Sequence, residues 1–288
     1  MSGRDLPATV VITGASTGIG RATALHLDRR GYRVFAGVRR AADGDGLRGE
    51  GSERLAPVLL DITDVGSIGA AAKTISAEVG ERGLAGLVNN AGIVLGGPLE
   101  FVPLDELRRQ LEVNTVGPVA VTQHFLPLVR QGTGRIVFVS SAGGRFSQPI
   151  VGPYCASKFA LEALADALRM ELAPSGIHVS LVEPGAVKTM IFEKGGQYGD
   201  QALKQLPEEG RRLYGKTTQA VLDFFAKTES SAIAPDRVAR VIEHALTAAR
   251  PRTRYLVGSD ARMQALLAWL LPDRTRDALL ARLVGLPR

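Results

Sequence analysis

The stretch Ala8-Thr9-Val10-Val11-Ile12-Thr13-Gly14-Ala15-Ser16-Thr17-Gly18-Ile19-Gly20 decides the fold. Its first five residues are an apolar, β-branched run, the pattern of a strand buried on both faces. Glycines follow at 14, 18 and 20, and a helix is predicted over residues 21–30, closed by Gly31. In that order the three parts make a turn whose backbone can approach a pyrophosphate with no Cβ in the way. The helix start offers unpaired N–H groups and the positive end of its dipole. Gly14, Ser16, Thr17, Gly18, Ile19 and Gly20 are therefore expected to bind a dinucleotide. The competing reading, an ordinary tight turn, does not explain the strand before and the helix after.

Working outward, short apolar strands are predicted at residues 33–38, 57–60, 84–88, 135–139, 177–182 and 254–257. Helical patterns at 65–79, 104–129 and 154–172 alternate with them. Strands apolar on both faces, separated by helices, specify a Rossmann-type doubly wound parallel sheet of about seven strands with helices on both faces. No repeat or Pro/Ser-rich linker divides the chain, so residues 1–288 are read as a single domain. Residues 188–234 break the rhythm with glycines, charges and scattered aromatics, and read as a substrate-binding lid. Residues 260–288 are leucine-rich around Pro272 and read as a C-terminal helical extension that packs, covers the site, or meets a partner or a membrane surface.

Composition narrows the classes. The formal charge of +6 is moderate, and its two local concentrations, Arg39-Arg40 and residues 250–254, have no interleaved aromatics, so nucleic acid is not expected as a partner. One cysteine, Cys155, excludes an internal disulfide and agrees with a reducing compartment. His26, His124, His178 and His244 form no ligand pair, so no metal is expected. The first seven residues carry no apolar export signal, and the apolar run 265–271 ends at Pro272, too short to span a bilayer. A cytoplasmic location is the expectation.

The end of the second strand bears on the cofactor. An NAD site places an acid about 20 residues past the glycine turn, on the ribose 2′-hydroxyl. Here the strand ends Ala36-Gly37-Val38-Arg39-Arg40 with no acid. A guanidinium can instead pair with a 2′-phosphate through charge-assisted hydrogen bonds. NADP(H) is thus favoured over NAD(H), with Arg39 as its reader; the alternative is that both arginines simply cap the strand in solvent.

Tyr154-Cys155-Ala156-Ser157-Lys158 sets a phenol and an ammonium at i and i+4 on a helix face. An unperturbed tyrosine, with a pKa near ~10, is a poor acid–base group at neutral pH. A nearby cation favours the phenolate and is expected to bring it into range. One loop earlier, Ser140-Ser141 supplies hydroxyls able to bond a substrate oxygen. Cys155 reads as a packed small side chain, since no histidine lies near it in sequence to form a thiolate pair.

Taken together, Thr13-Gly14-x-x-x-Gly18-x-Gly20, Asn89-Asn90-Ala91-Gly92, Asn114, Ser141, Tyr154-x-x-x-Lys158 and Pro184-Gly185 resemble the short-chain dehydrogenase/reductase family from about residue 8 to 190. Tyr154-Cys155-Ala156-Ser157-Lys158-Phe159-Ala160-Leu161-Glu162 resembles its branch of 17β-hydroxysteroid and retinol dehydrogenases. The resemblance implies a catalytic tetrad of Asn114, Ser141, Tyr154 and Lys158. Ser141 is chosen over Ser140 by the family's 13-residue spacing to the tyrosine. Lys158 would also hold the nicotinamide ribose, beside Tyr154. Asn114 would kink its helix and feed a proton relay through water. Asp61, with Ile62 beside it, matches the acid that holds the adenine amino group. Asn89, Ala91 and Gly92 would line the adenosine side and brace the sheet. Pro184, Gly185, Val187 and Thr189 match the stretch that orients the carboxamide. A homodimer or homotetramer is implied. Thr17 departs from the basic residue many NADP-preferring members carry there, which leaves Arg39 nearly alone in that role.

Phe192, Tyr198, Leu206, Tyr214, Leu222, Phe224 and Phe225 load the lid with apolar surface, which suggests a lipophilic, steroid-, retinoid- or ketone-like alcohol or carbonyl, with Phe192, Ser141 and Tyr154 touching it. Two other readings share some motifs. A nucleotide-sugar epimerase would space the turn glycines evenly and carry a longer C-terminal domain. A redox-sensing regulator would need the glycine turn but not the Asn/Ser/Tyr/Lys set.

Overall fold

The computed structural model describes residues 8–189, 203–204 and 206–286. Phe192 and Tyr198 lie outside them. Seven parallel strands form one sheet: β1 (Thr9–Ile12), β2 (Arg33–Val38), β3 (Leu55–Leu59), β4 (Gly86–Asn89), β5 (Arg135–Val139), β6 (His178–Pro184) and β7 (Arg254–Val257). Their spatial order is β3-β2-β1-β4-β5-β6-β7. The order reverses between β1 and β4, which opens a crevice at the strands' carboxyl ends.

Neighbouring residues of one strand feed opposite cores, as the pleat requires. Val10 and Ile12 of β1 pack on one face with Leu27 of α1 (Gly18–Arg29), Leu47 of α2 (Ala41–Arg48) and Ile242. Val11 points the other way, into a core with Ile68 of α3 (Val65–Val79), Phe125 and Leu161. Burial on both faces explains why these strands read as unbroken apolar runs.

The stretch predicted as one helix over residues 104–129 is interrupted. α4 (Leu104–Leu111) and α5 (Gly117–Gln131) are separated by a π-turn at Glu112–Val116 that contains Asn114. Asn114 therefore sits where the regular α-helix is broken, and such bulges recur at functional sites. α6 (Gly152–Leu172) follows β5 by a short 3-10 turn and carries Tyr154 and Lys158.

Residues 188–234 hold more regular structure than their glycines and charges suggest. α7 (Glu208–Glu229) starts just after Pro207 and has acidic residues in its first turn. Its Val221, with Phe224 and Phe225 beside it, packs on Ile150 and on Val284 of the C-terminal helix. α8 (Pro235–Thr247) lies against α1. Two further helices, α9 (Ser259–Leu270) and α10 (Asp273–Val284), are divided by Pro272. Among the described residues no helix is long and apolar enough to cross a membrane.

Candidate active site

The crevice is a cavity of about 1320 Å³, walled by the glycine turn, the ends of β2 through β6, α6 and α7. At the turn, Gly14 and Gly18 have φ of 65° and 56°, a region that penalises a side chain. A Cβ on Gly14 would lie 2.7 Å from the Ala91 Cα. Thr17 caps α1 without a side-chain hydrogen bond, and no acid occupies its first turn, so its amides are left for an anion.

The turn is strapped to the end of β4. Asn90 Nδ2 donates to the carbonyls of Thr13 (2.9 Å) and Gly14 (3.1 Å), while Thr13 Oγ1 accepts from the amides of Asn90 and Ala91, each at 3.0 Å. Gly20 belongs to this packing and not to the cavity wall, since a Cβ there would meet Asn90 Nδ2 at 2.4 Å. Of the two roles expected of Asn89, lining the adenosine side and bracing the sheet, the first is not seen, because it does not line the cavity. It is buried and donates from Nδ2 to Thr122 Oγ1 of α5 at 2.9 Å, so it braces the sheet.

Ser16, Thr17, Gly18, Ile19, Arg39, Asp61, Ile62, Ala91 and Gly92 all face the cavity. Arg40 is held by Asp43 through bonds of 3.0 and 2.8 Å, whereas Arg39 is exposed and makes no hydrogen bond or ion pair with a described residue. Burial pushes the Asp61 carboxyl up, but the Thr63 amide and hydroxyl and the Arg39 charge outweigh it and hold it below its ordinary value. The donor set of the turn, the free guanidinium and the cavity's size fit a dinucleotide.

Pro184, Gly185, Val187 and Thr189 also line the cavity, with Thr189 next to Gly18 of the turn. Asp260 of α9, absent from the sequence reading, sets their course. Its Oδ2 accepts from the Ala186 amide at 2.7 Å and sits where a Gly185 Cβ would be. Nothing local marks Asp260, because the contact spans 74 residues.

Ser141, Tyr154 and Lys158 line the same cavity. The Ser141 hydroxyl is close enough to the Tyr154 phenol to favour its ionised form, and its Oγ accepts from the Gly143 amide at 3.0 Å. Burial pushes Tyr154 up to about 12, against the lowering effect of Ser141. The expectation that Lys158 lowers it is not met here: Lys158 Nζ donates to the Val139 carbonyl at 2.9 Å and stands 5.9 Å from the ring centroid. A buried ammonium takes the nearest strong acceptor, and burial brings its own pKa down to about 8. Asn114 is fully buried and does not line the cavity. Its Oδ1 accepts from the Ile93 amide, and its Nδ2 donates to the Ile93 carbonyl and to Ser157 Oγ, at 2.9, 2.9 and 3.0 Å. It ties the loop after β4 to α6. Burial pushes the Cys155 thiol up, the opposite of what a nucleophile needs.

A phosphate-binding turn and a Ser/Tyr/Lys group thus share one cavity. A family model described as short chain dehydrogenase matches residues 8–197. The chain belongs to the short-chain dehydrogenase family. It is 40% identical to retinol dehydrogenase 5 of Mus musculus, over 99% of this chain and 92% of that one. It is 39% identical to 17-beta-hydroxysteroid dehydrogenase type 6 of Homo sapiens, over 95% and 87%. Among solved structures, a short-chain dehydrogenase from Streptomyces avermitilis superposes with a TM-score of 0.76 at 29% identity, covering 99% of this chain and 97% of that one. One from Burkholderia cenocepacia, in complex with NADP, gives 0.72 at 26% identity, covering 98% of each. The protein is an oxidoreductase acting on CH–OH groups with a nicotinamide dinucleotide.

Proposed function

We propose that the protein interconverts a lipophilic alcohol and its carbonyl compound with NADP(H), and that Tyr154 is the general acid/base. One observation carries this reading. A single cavity is lined by Arg39, by Ser141 and Tyr154, and by the apolar side chains of Ile93, Leu95, Ile150, Val221 and Phe224. When bound, the nicotinamide supplies or accepts the hydride. In reduction, Tyr154 gives its phenolic proton to the carbonyl oxygen while the Ser141 hydroxyl donates a hydrogen bond to the same oxygen. The Lys158 ammonium, one helical turn away, favours the phenolate left behind once it turns from the Val139 carbonyl toward the ring. In oxidation the same groups act in reverse.

Arg39 supports NADP(H) because its guanidinium lines the cavity and makes no hydrogen bond or ion pair with a described residue, and the similarity to retinol and hydroxysteroid dehydrogenases supports a lipophilic substrate. Thr17, neutral at the phosphate turn, supports NAD(H) as the second reading. The exposed apolar side chains of Leu104, Val116, Phe159, Leu164 and Met170 on α4 to α6 support the homodimer or homotetramer, which light scattering would size.

Absorbance at 340 nm with NADPH and NADH against steroid, retinoid and simple ketone panels tests the whole reading. Turnover of a lipophilic ketone, faster with NADPH at low cofactor concentration, is expected. Faster turnover with NADH would remove Arg39 from its role, and turnover of polar carbonyls alone would remove the substrate class.

A further inference from the structure

α6 carries a third ionisable residue on the stripe of the phenol and the ammonium. Tyr154, Lys158 and Glu162 recur at four-residue intervals, so their side chains follow one another along one helix face. Lys158 is 5% exposed and Glu162 7%. A carboxylate this deep needs compensation. Its Oε2 accepts from Arg254 Nε at 3.1 Å, but its Oε1 has no hydrogen-bond partner among the described residues. The hydroxyl of Ser140 is likewise buried and unpartnered. Both residues flank Gly144, where a Cβ would lie 3.0 Å from Glu162 Cγ and 3.0 Å from Ser140 Oγ.

The charged groups facing Glu162 are Lys158 and Asp166 of α6, Glu183 of β6 and Arg254 of β7. Arg145, just past the 3-10 turn, binds Glu183. Arg254 is divided among three carboxylates, since it also binds Asp166 at 2.5 Å and approaches Glu183 at 3.3 Å. Asp166 has a second cation, Arg169, on its outer side. Glu162 has one bond from a shared guanidinium, and among the described residues its charge also acts on Lys158, one helical turn before it, with no ion pair between them.

We infer that Glu162 is a positioning residue for the reaction, the buried counter-ion that keeps the Lys158 side chain an ammonium beside the phenol. The inference rests on the oxidoreductase mechanism above. The balance at Lys158 agrees with it: burial lowers the lysine to about 8, and the Glu162 charge opposes that fall.

The test is carbonyl reduction by the full-length enzyme with NADPH from pH 6 to 10, using the best ketone of the panel. Without the carboxylate, both lysine and phenol lose their protons more readily. Glu162→Gln should therefore move the alkaline limb of log kcat/KM down by about one unit. That is a ~10-fold deficit at the alkaline end that nearly vanishes at pH 6. Glu162→Asp, which keeps the charge, should restore the limb. Arg254→Gln removes a cation that competes for Glu162 and should move the limb up, so it decides the matter if Glu162→Gln does not fold. An unmoved limb in a folded Glu162→Gln protein, with activity lower by one factor at every pH, would overturn the inference; so would an unmoved limb in Arg254→Gln. Tyr154→Phe separates the failures. Turnover surviving there sinks the proton mechanism itself, whereas an inactive Tyr154→Phe beside an unmoved limb sinks only the role of Glu162.

Discussion

Lys158 donates its hydrogen bond to the main-chain carbonyl of Val139 at 2.9 Å and stands back from the Tyr154 ring. The last residue of β5 thereby holds the cation that the chemistry assigns to α6. Strand and helix are packed together by the apolar core on that face of the sheet, so the site's charge is placed by burial. Tyr154 and Lys158 meet the same cost: burial disfavours the phenolate of the one and the ammonium of the other.

Tyr154→Phe tests the proton. The variant keeps the ring's packing and loses only the hydroxyl, so kcat should fall by roughly 10²–10⁴-fold. The dissociation constant for NADPH, followed by fluorescence titration, should stay near the wild-type value. Activity close to wild type would take the phenol out of the reaction.

Lys158→Met should trade function for stability. The folded pKa of about 8 lies below the ordinary 10.5, so below pH 8 lysine is protonated in both states and the full cost of burying it is present. Between these values the unfolded chain holds a proton that the folded chain lacks, and stability rises with pH. The shift corresponds to about 3 kcal/mol at neutral pH, of which ~1–2 kcal/mol is offset because the variant leaves the Val139 carbonyl without a donor. Urea denaturation without cofactor should show a gain of about 1–2 kcal/mol at pH 7 that reverses to a loss of about 1–2 kcal/mol above pH ~10, together with lost turnover. A variant less stable at pH 7, or equally favoured at both pH values, would contradict this.

The two adjacent arginines should behave differently. Arg39→Ala should lower kcat/KM for NADPH by about 10- to 100-fold, the worth of one or two charge-assisted hydrogen bonds, with little change for NADH. Arg40→Ala should leave both values nearly unchanged, because Asp43 already occupies that guanidinium. Equal losses in the two variants would point to general surface charge and away from a phosphate reader.

Asn90→Ala should loosen the phosphate turn without touching the reacting groups. It removes the donors to Thr13 and Gly14 carbonyls, so calorimetric affinity for NADPH should weaken about tenfold and the protein should lose ~1–3 kcal/mol. A lowered melting temperature with unchanged affinity would make Asn90 a brace of the fold alone.

The chain's own order determined a good deal. The strand-glycine-helix stretch at residues 8–30, the both-sides-apolar strands and the residue order of the Ser/Tyr/Lys group specify a doubly wound sheet and where along the chain its site lies. These are local properties: β-branched runs, missing side chains at turns, and spacings within one helix. α7 was hidden, because glycines and paired charges over residues 208–216 mask a helix whose apolar side becomes evident only against Ile150 and Val284.

Other assignments needed the tertiary structure. Asn89 and Asn114 are polar residues in motif positions, yet only the packing of α5 and α6 shows them buried behind the cavity wall, bonded to Thr122 and to Ile93 and Ser157. Asp260 reaches Ala186 across 74 residues, and Arg254 reaches Glu162 across 92. The direction of the pKa shift at Tyr154 was also decided in space. Residue spacing alone put a cation beside the phenol; the fold buried both groups and turned the cation to Val139, since a charge withdrawn from water must find its acceptor wherever the packing leaves one.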